Sequence, residues 1–448
     1  MLCPEVEKIY DDITNKIKDV ILTEVGDYVE AILYVGSWAR KEMSYIFHDD
    51  GSIEFLNDID ILIITNTKLN GLKIKKLRDK ASQILNKNYV SYEKYSMLGD
   101  HYNFFVEIRN ISIKDLKLLP PRLKYYDIFR EPSIIYLKNK KILHAFPKIN
   151  INDISLTDGL VHLFNRMGLL IEWHPYVIVD NPKLLILVLK SYTAIVEALT
   201  LFNKTYEVSY IEKAENLKKT FERDFPELSQ SLPGLADRVQ RYIDMKVNFY
   251  KYYNGITRDE IFEIWNDARR DILITSIYLI NKIFRANYML NTDPHNIKNI
   301  LFFLRKNYRF VIYDYIVRIL QKRKIGLFTK YSLPLINFYS WILYFNKYKK
   351  VTGELSYFDI IKHSVRLINK DVTSFLYLLI FVLLSSMECS PSDNLKLNQF
   401  YSSIIKDMFQ KLNPIRNYEK EYSNLNAYSI VKEFSMIFRI WELMMFEM

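Results

Sequence analysis

Ala31-Ile32-Leu33-Tyr34-Val35-Gly36-Ser37-Trp38-Ala39-Arg40, followed later by Asn57-Asp58-Ile59-Asp60-Ile61-Leu62-Ile63-Ile64, is the stretch that decides how this chain of 448 residues folds. The first half is a short apolar run broken by Gly-Ser, the pattern of a buried strand running into a turn. Glycine lets the main chain approach an anion, and the Ser37 hydroxyl with the amides that follow could donate to a phosphate. In the second half Asp58 and Asp60 stand two apart at the start of an apolar run. Strand alternation aims both carboxylates at one face. Like charges on one face are costly unless a cation or a basic side chain compensates them, so the pair points to bound magnesium or to a structural base.

Gly-Ser on one strand with Asp-x-Asp on the next resembles the signature of the DNA polymerase beta type nucleotidyltransferase superfamily, which includes the minimal and aminoglycoside nucleotidyltransferases. The resemblance covers roughly residues 28 to 143. It implies a small mixed sheet, divalent ions (Mg²⁺ or Mn²⁺) held by Asp58 and Asp60, and a third carboxylate on a later strand. Glu107, in Phe104-Phe105-Val106-Glu107-Ile108, is placed to be that third ligand, although Arg109 on the same face could make it a plain ion pair. The implied activity is transfer of a nucleoside monophosphate from a nucleoside triphosphate to an acceptor hydroxyl or phosphate, with release of pyrophosphate. Asp58, Asp60 and Glu107 are then the catalytic and metal-holding residues. Gly36 and Ser37 would cradle the triphosphate, and Arg40, a helical turn past Ser37, could pair with it. Lys41 and Glu42 are lesser candidates. The chain departs from the family pattern between Trp38 and Asn57, where an insertion separates the two motifs. Its Tyr45 to Phe55 part reads as a hairpin with a primed turn at Asp50-Gly51, which would leave the flanking strands paired.

Around this core the periodicity predicts an amphipathic helix from Pro4 to Gly26, through Val6, Tyr10, Ile13, Ile17, Val20 and Val25. A second is expected over Leu72 to Asn88, with Ile74, Leu77, Ala81, Ile84 and Leu85 inside. A strand is expected at Ser91 to Ser96, another from Asn103 to Ile113, and a closing segment containing Tyr125-Tyr126-Asp127-Ile128. The predicted fold class is α+β, a small mixed-sheet nucleotidyltransferase domain over 1–149 followed by an extended all-α region. Glycine falls to six after Pro147 and to none after Gly353, which suits long helices. A helical substrate-side domain is expected over 150–290 and a further helical domain of unreadable role over 291–448, separated at Asp293-Pro294. Lys183 to Phe202 is apolar nearly all round and therefore central to a bundle. Lys190 on that helix, followed by Tyr206-Glu207-Val208-Ser209-Tyr210, resembles the substrate side of some of these enzymes. That likeness implies Lys190 as a nucleotide-binding residue and a cleft facing the carboxylates.

The net charge of +10 and a pI near 9.1 favour anionic partners, namely a nucleoside triphosphate with an unidentified acceptor. Nucleic acid is the less favoured partner. Lys322-Arg323-Lys324 and Lys347 to Lys350 are basic, but helix ends commonly are. Two cysteines without ligand spacing support neither a disulfide framework nor a zinc site, and a reducing, cytoplasmic setting is expected. Charges near the N-terminus interrupt any signal peptide, and Val372 to Met387 is too short to span a bilayer, so no membrane span is expected. Two competing readings are a non-catalytic nucleotide-binding scaffold of the same fold and an RNA-end nucleotidyltransferase.

Overall fold

A computed structural model describes residues 3–85, 106–175, 181–307, 341–350, 355–367, 372–390, 393–397, 401–412 and 427–447. The expected strand at Ser91 to Ser96, the residues around Phe104-Phe105, and Lys322-Arg323-Lys324 lie outside these. The chain forms two compact units. One comprises 1–155 with 200–218 and 240–255, and the other holds the rest.

In the first unit, α1 (Pro4–Val25) buries Val6, Tyr10, Ile13, Ile17, Ile21 and Val25, a stripe at spacings of three and four. It leads to β1 (Val29–Val35), the four-residue helix α2 (Gly36–Ala39), the short strands β2 (Tyr45–Phe47) and β3 (Ile53–Phe55), and β4 (Ile59–Thr65). Helix α3 (Gly71–Leu85), β5 (Val106–Ser112), α4 (Ile113–Leu116), α5 (Leu123–Arg130) and β6 (Ser133–Leu137) complete the order. On α3 Leu77 and Ala81 are buried as the spacing predicts, whereas Ile84 is 53% exposed.

The sheet is mixed, in the order β5-β4-β1-β6. β1 runs antiparallel to both β4 and β6, and β4 runs parallel to β5, with α3 in the crossover. Both faces are covered. Ile32, Tyr34, Ile59, Ile61, Ile63, Val106 and Ile108 pack with α1 and α3. Ala31, Leu33, Leu62 and Ile64 pack with Leu116, Leu119, Ile128 and Ile142. Burial on two faces explains why these strands read as continuous apolar runs.

The insertion is an antiparallel hairpin, with Tyr45 opposite Phe55 and Phe47 opposite Ile53. Its turn differs from the primed one expected. The Gly51 amide bonds to the His48 carbonyl at 2.9 Å, and Gly51 (φ +80) takes positive φ while Asp50 does not. Both primed turns need positive φ at the first central residue, which Asp50 lacks, so this is a three-residue loop with glycine in the left-handed position. Trp38, fully buried, anchors the base of the insertion by donating to the Asn57 carbonyl. Tyr45 stacks on Tyr250 with centroids 5.0 Å apart.

The second unit is built around helix Leu156–Glu172, against which Arg258–Phe284, Val372–Ser386 and Ala427–Glu447 pack. Trp265 donates to the Leu170 carbonyl at 3.0 Å, and Tyr377 stacks on Phe164 while bonding Asn165. Two helices from the stretch expected to form a further domain, Val372–Ser386 and Ala427–Glu447, thus pack on the same buried helix as Arg258–Phe284. The capping box at Thr257 and Glu260 is present, and Asp293 accepts from the His295 amide ahead of the helix starting at Pro294. The region is not all-α. Met387–Ser390 and Asp393–Leu397 pair as antiparallel strands. Among the described residues one helix, Pro182–Phe202, is long and apolar enough to cross a membrane, and 94% of its apolar window is buried within the protein.

Candidate functional site

The register of the sheet brings two expected residues, Asp60 and Glu107, side by side at one end. Asp60 lies opposite Val35, the last residue of β1, and on its other side opposite Glu107 of β5. Val35, Asp60 and Glu107 thus form a row across three strands, and Asp58 precedes β4 on the same face by alternation. Leu62 and Ile64, further along that face of β4, enter the apolar cluster capped by Leu116 and Ile128. The carboxylates therefore begin where the apolar cover stops.

Gly36 turns the chain beside them. Its φ is +65°, and a Cβ placed on it would stand 3.1 Å from Asp60 Oδ2. Glycine is needed here twice over, for the left-handed backbone and for the space the carboxylate occupies. Ser37 is half-buried in the first turn of α2, and among the described residues its hydroxyl makes no hydrogen bond.

Glu107 is 9% exposed, and its Oε1 receives both Nε and Nη2 of Arg109, each at 2.7 Å. The charge of Glu107 raises the Arg109 pKa above its ordinary value. Burial opposes this rise, and Asp60 adds to it. Carboxylate oxygens are the donors that Mg²⁺ and Mn²⁺ prefer, so Asp58 and Asp60 fit such an ion chemically. Glu107 would have to exchange its guanidinium partner. Among the described residues no group of three or more His, Cys, Asp or Glu is arranged to hold a metal ion.

Arg40 does not reach into open space. Its side chain, 8% exposed, bonds Glu42 Oε2 at 2.9 Å, lies 3.7 Å from Asp127, and covers the Tyr210 ring at 4.2 Å. Pairing with a phosphate would require giving up some of these partners. Glu42 is a hub of polar contacts. Its carboxylate accepts from the Ser209 hydroxyl at 2.7 Å and the Tyr210 amide at 3.0 Å, and its carbonyl accepts from Lys246 Nζ at 3.1 Å. Lys213, fully buried, donates to Tyr206 Oη at 2.8 Å, and that hydroxyl donates to Asp127. Arg40, Lys213 and Lys246 all lie within 5.1 Å of the Tyr210 ring centroid.

A cavity of about 330 Å³ opens beside this cluster, lined among others by Gly36, Arg40, Glu42, Asp127, Glu131 and Ser209. Gly36 is common to the cavity and the carboxylate row, whereas Asp58, Asp60 and Glu107 are not among the lining residues. Tyr206 to Tyr210 thus belongs to the sheet unit. Lys190 sits on helix Asn181–Phe202 in the second unit, where its carbonyl accepts from Thr193.

Sequence reasoning missed Asp127, Lys213 and Lys246. A signal existed: Lys213 falls on the stripe of Ala214, Leu217 and Phe221, and Lys246 on that of Leu235, Val239, Tyr242 and Ile243. A cation in an apolar stripe calls for a buried partner. No family model matches the chain, and no curated protein matches it.

Proposed function

We propose that the first unit is a metal-dependent nucleotidyltransferase, moving a nucleoside monophosphate from a nucleoside triphosphate to an acceptor hydroxyl or phosphate. The supporting observation is the row of Asp60 and Glu107 in register across parallel strands, with Gly36 packed against Asp60. An acceptor oxygen would bond to the α-phosphorus while the bond from that phosphorus to the α–β bridging oxygen breaks and pyrophosphate leaves. The acceptor's proton would pass to a carboxylate of the row, Glu107 being the assigned base. Magnesium held by Asp58 and Asp60 would supply neutralisation of the triphosphate and a lower pKa for the attacking hydroxyl. Ser37 would donate its hydroxyl to a phosphate oxygen, with Gly36 allowing the main chain to come close.

Incubation of the purified protein with each α-labelled triphosphate, Mn²⁺ or Mg²⁺, and cell extract should transfer label to an acceptor, and Asp60→Asn should abolish it. Absence of both transfer and triphosphate binding with every nucleotide would remove this reading. The Arg109 grip on Glu107 favours one second reading, a nucleotide-binding scaffold of the same fold. That reading predicts metal-dependent triphosphate binding without transfer. Label recovered on RNA ends would instead identify the acceptor as nucleic acid, a class that the net charge of +10 favours.

A further inference from the structure

We infer that Arg109 is a built-in counter-ion for the carboxylate row, holding Glu107 when no divalent cation is bound and giving way when one binds. This inference rests on the metal-dependent reading above. Strand alternation puts Glu107 and Arg109 on one face of β5, and the residue opposite Arg109 in register is the apolar Leu62. The guanidinium has turned back along its own strand, with two nitrogens on one carboxylate oxygen at 2.7 Å. Asp58, Asp60 and Glu107 gather like charge at one end of the sheet, which a positive group must offset.

The asymmetry of exposure sets the direction of exchange. The Glu107 side chain is 11% exposed, whereas that of Arg109 is 54% exposed. A buried carboxylate is thus held by a cation whose side chain is half exposed. Releasing Glu107 gives up a pair whose basic member is half exposed, and solvent screening keeps such a pair modest in strength. A divalent ion approaching Asp58 and Asp60 meets the guanidinium as a like charge and Glu107 as a ligand already engaged. Arg109 therefore lowers metal affinity while it stabilises the metal-free sheet, acting as a positioning residue for Glu107.

The test is titration of Mn²⁺ alone, by calorimetry and by the Mn²⁺ electron paramagnetic resonance signal, into the full chain and its R109Q, R109M, R109K and D60N variants. R109Q should bind Mn²⁺ at least about tenfold tighter, or ~1.4 kcal/mol. R109M, which keeps an apolar stem, carries the same expectation if R109Q folds poorly. R109K retains the charge and should stay close to the wild type. Without metal R109Q should melt lower than the wild type, and saturating Mn²⁺ should close that gap. A merely structural arginine would leave the gap open. Unchanged or weaker Mn²⁺ binding in R109Q and R109M, with wild-type binding that D60N abolishes, overturns this inference and leaves the metal-dependent reading intact. No Mn²⁺ binding by any of these proteins overturns both.

Discussion

Gly36→Ala tests the geometry on which the site depends, since two separable costs follow from one added methyl. The backbone at φ +65° is left-handed, which costs a non-glycine residue about 1–2 kcal/mol. The new Cβ would also stand 3.1 Å from Asp60 Oδ2, so the carboxylate must shift by a few tenths of an ångström. Together the two should destabilise the sheet unit by about 1.5–3 kcal/mol, lowering its melting midpoint by several degrees. Urea unfolding followed by tyrosine and tryptophan fluorescence measures the loss. A double-mutant cycle apportions it: in a D60A background the contact vanishes and the backbone term remains, so the two substitutions should couple by about 0.5–1 kcal/mol. If G36A lies within about 0.3 kcal/mol of the wild type, the turn is not left-handed and Asp60 does not pack on it. Full additivity in the cycle would separately refute the contact.

Three further outcomes follow from buried groups. His174 is fully buried against Trp265, and burial, aided by Arg269 and Arg258, pushes its pKa down to about 3. The unfolded imidazole takes up a proton that the folded one refuses, so stability is complete above about pH 6.5 and falls by up to ~1.4 kcal/mol per pH unit below it. The comparison is urea midpoints of wild type and H174Q between pH 7 and 5, and an equal slope in both would refute it. Gly168→Ala would put a Cβ 2.5 Å from Phe438 Cε2, an overpacking worth about 1–3 kcal/mol that F438L should partly relieve in thermal melts. Glu42→Ala should cost about 3–5 kcal/mol, because it strips a buried carboxylate from Arg40, Ser209 and the Tyr210 amide. Recovery of most of that loss in E42Q would show that hydrogen bonds rather than charge hold the hub.

What the sequence disclosed is what local chemistry dictates. A strand ending in Gly-Ser, an Asp-x-Asp opening the next strand and an i, i+2 acid–base pair are each contained within a few residues, and each is present. Register followed from the same local pattern, since Ile59, Ile61 and Ile63 share a face that could not be exchanged for that of Asp60 and Leu62 without burying a carboxylate. The partners of those residues were less legible. Arg40 stood at the right spacing to meet a phosphate, yet its ligands are Glu42, two residues on, and Asp127 on a helix 87 positions later, a separation that no periodicity encodes. Glu42 meets Tyr210 at a separation of 168 residues and Lys246 at 204, so the return of 200–218 and 240–255 to the sheet unit was hidden behind two runs of ordinary amphipathic helix.

The same distinction bears on Arg109. Its pairing with Glu107 is local, and a structural ion pair was a sufficient account of it while β5 was considered alone. Placing Asp60 beside Glu107 in the parallel ladder changes the setting of the pair, because the charge of the guanidinium is then felt by Asp60 as well as by Glu107. A pair buried on both sides is hard to part, because withdrawing one member strands the other charge away from water. Here the acid is buried and the base is left half in water, the arrangement expected of a counter-ion that can be exchanged.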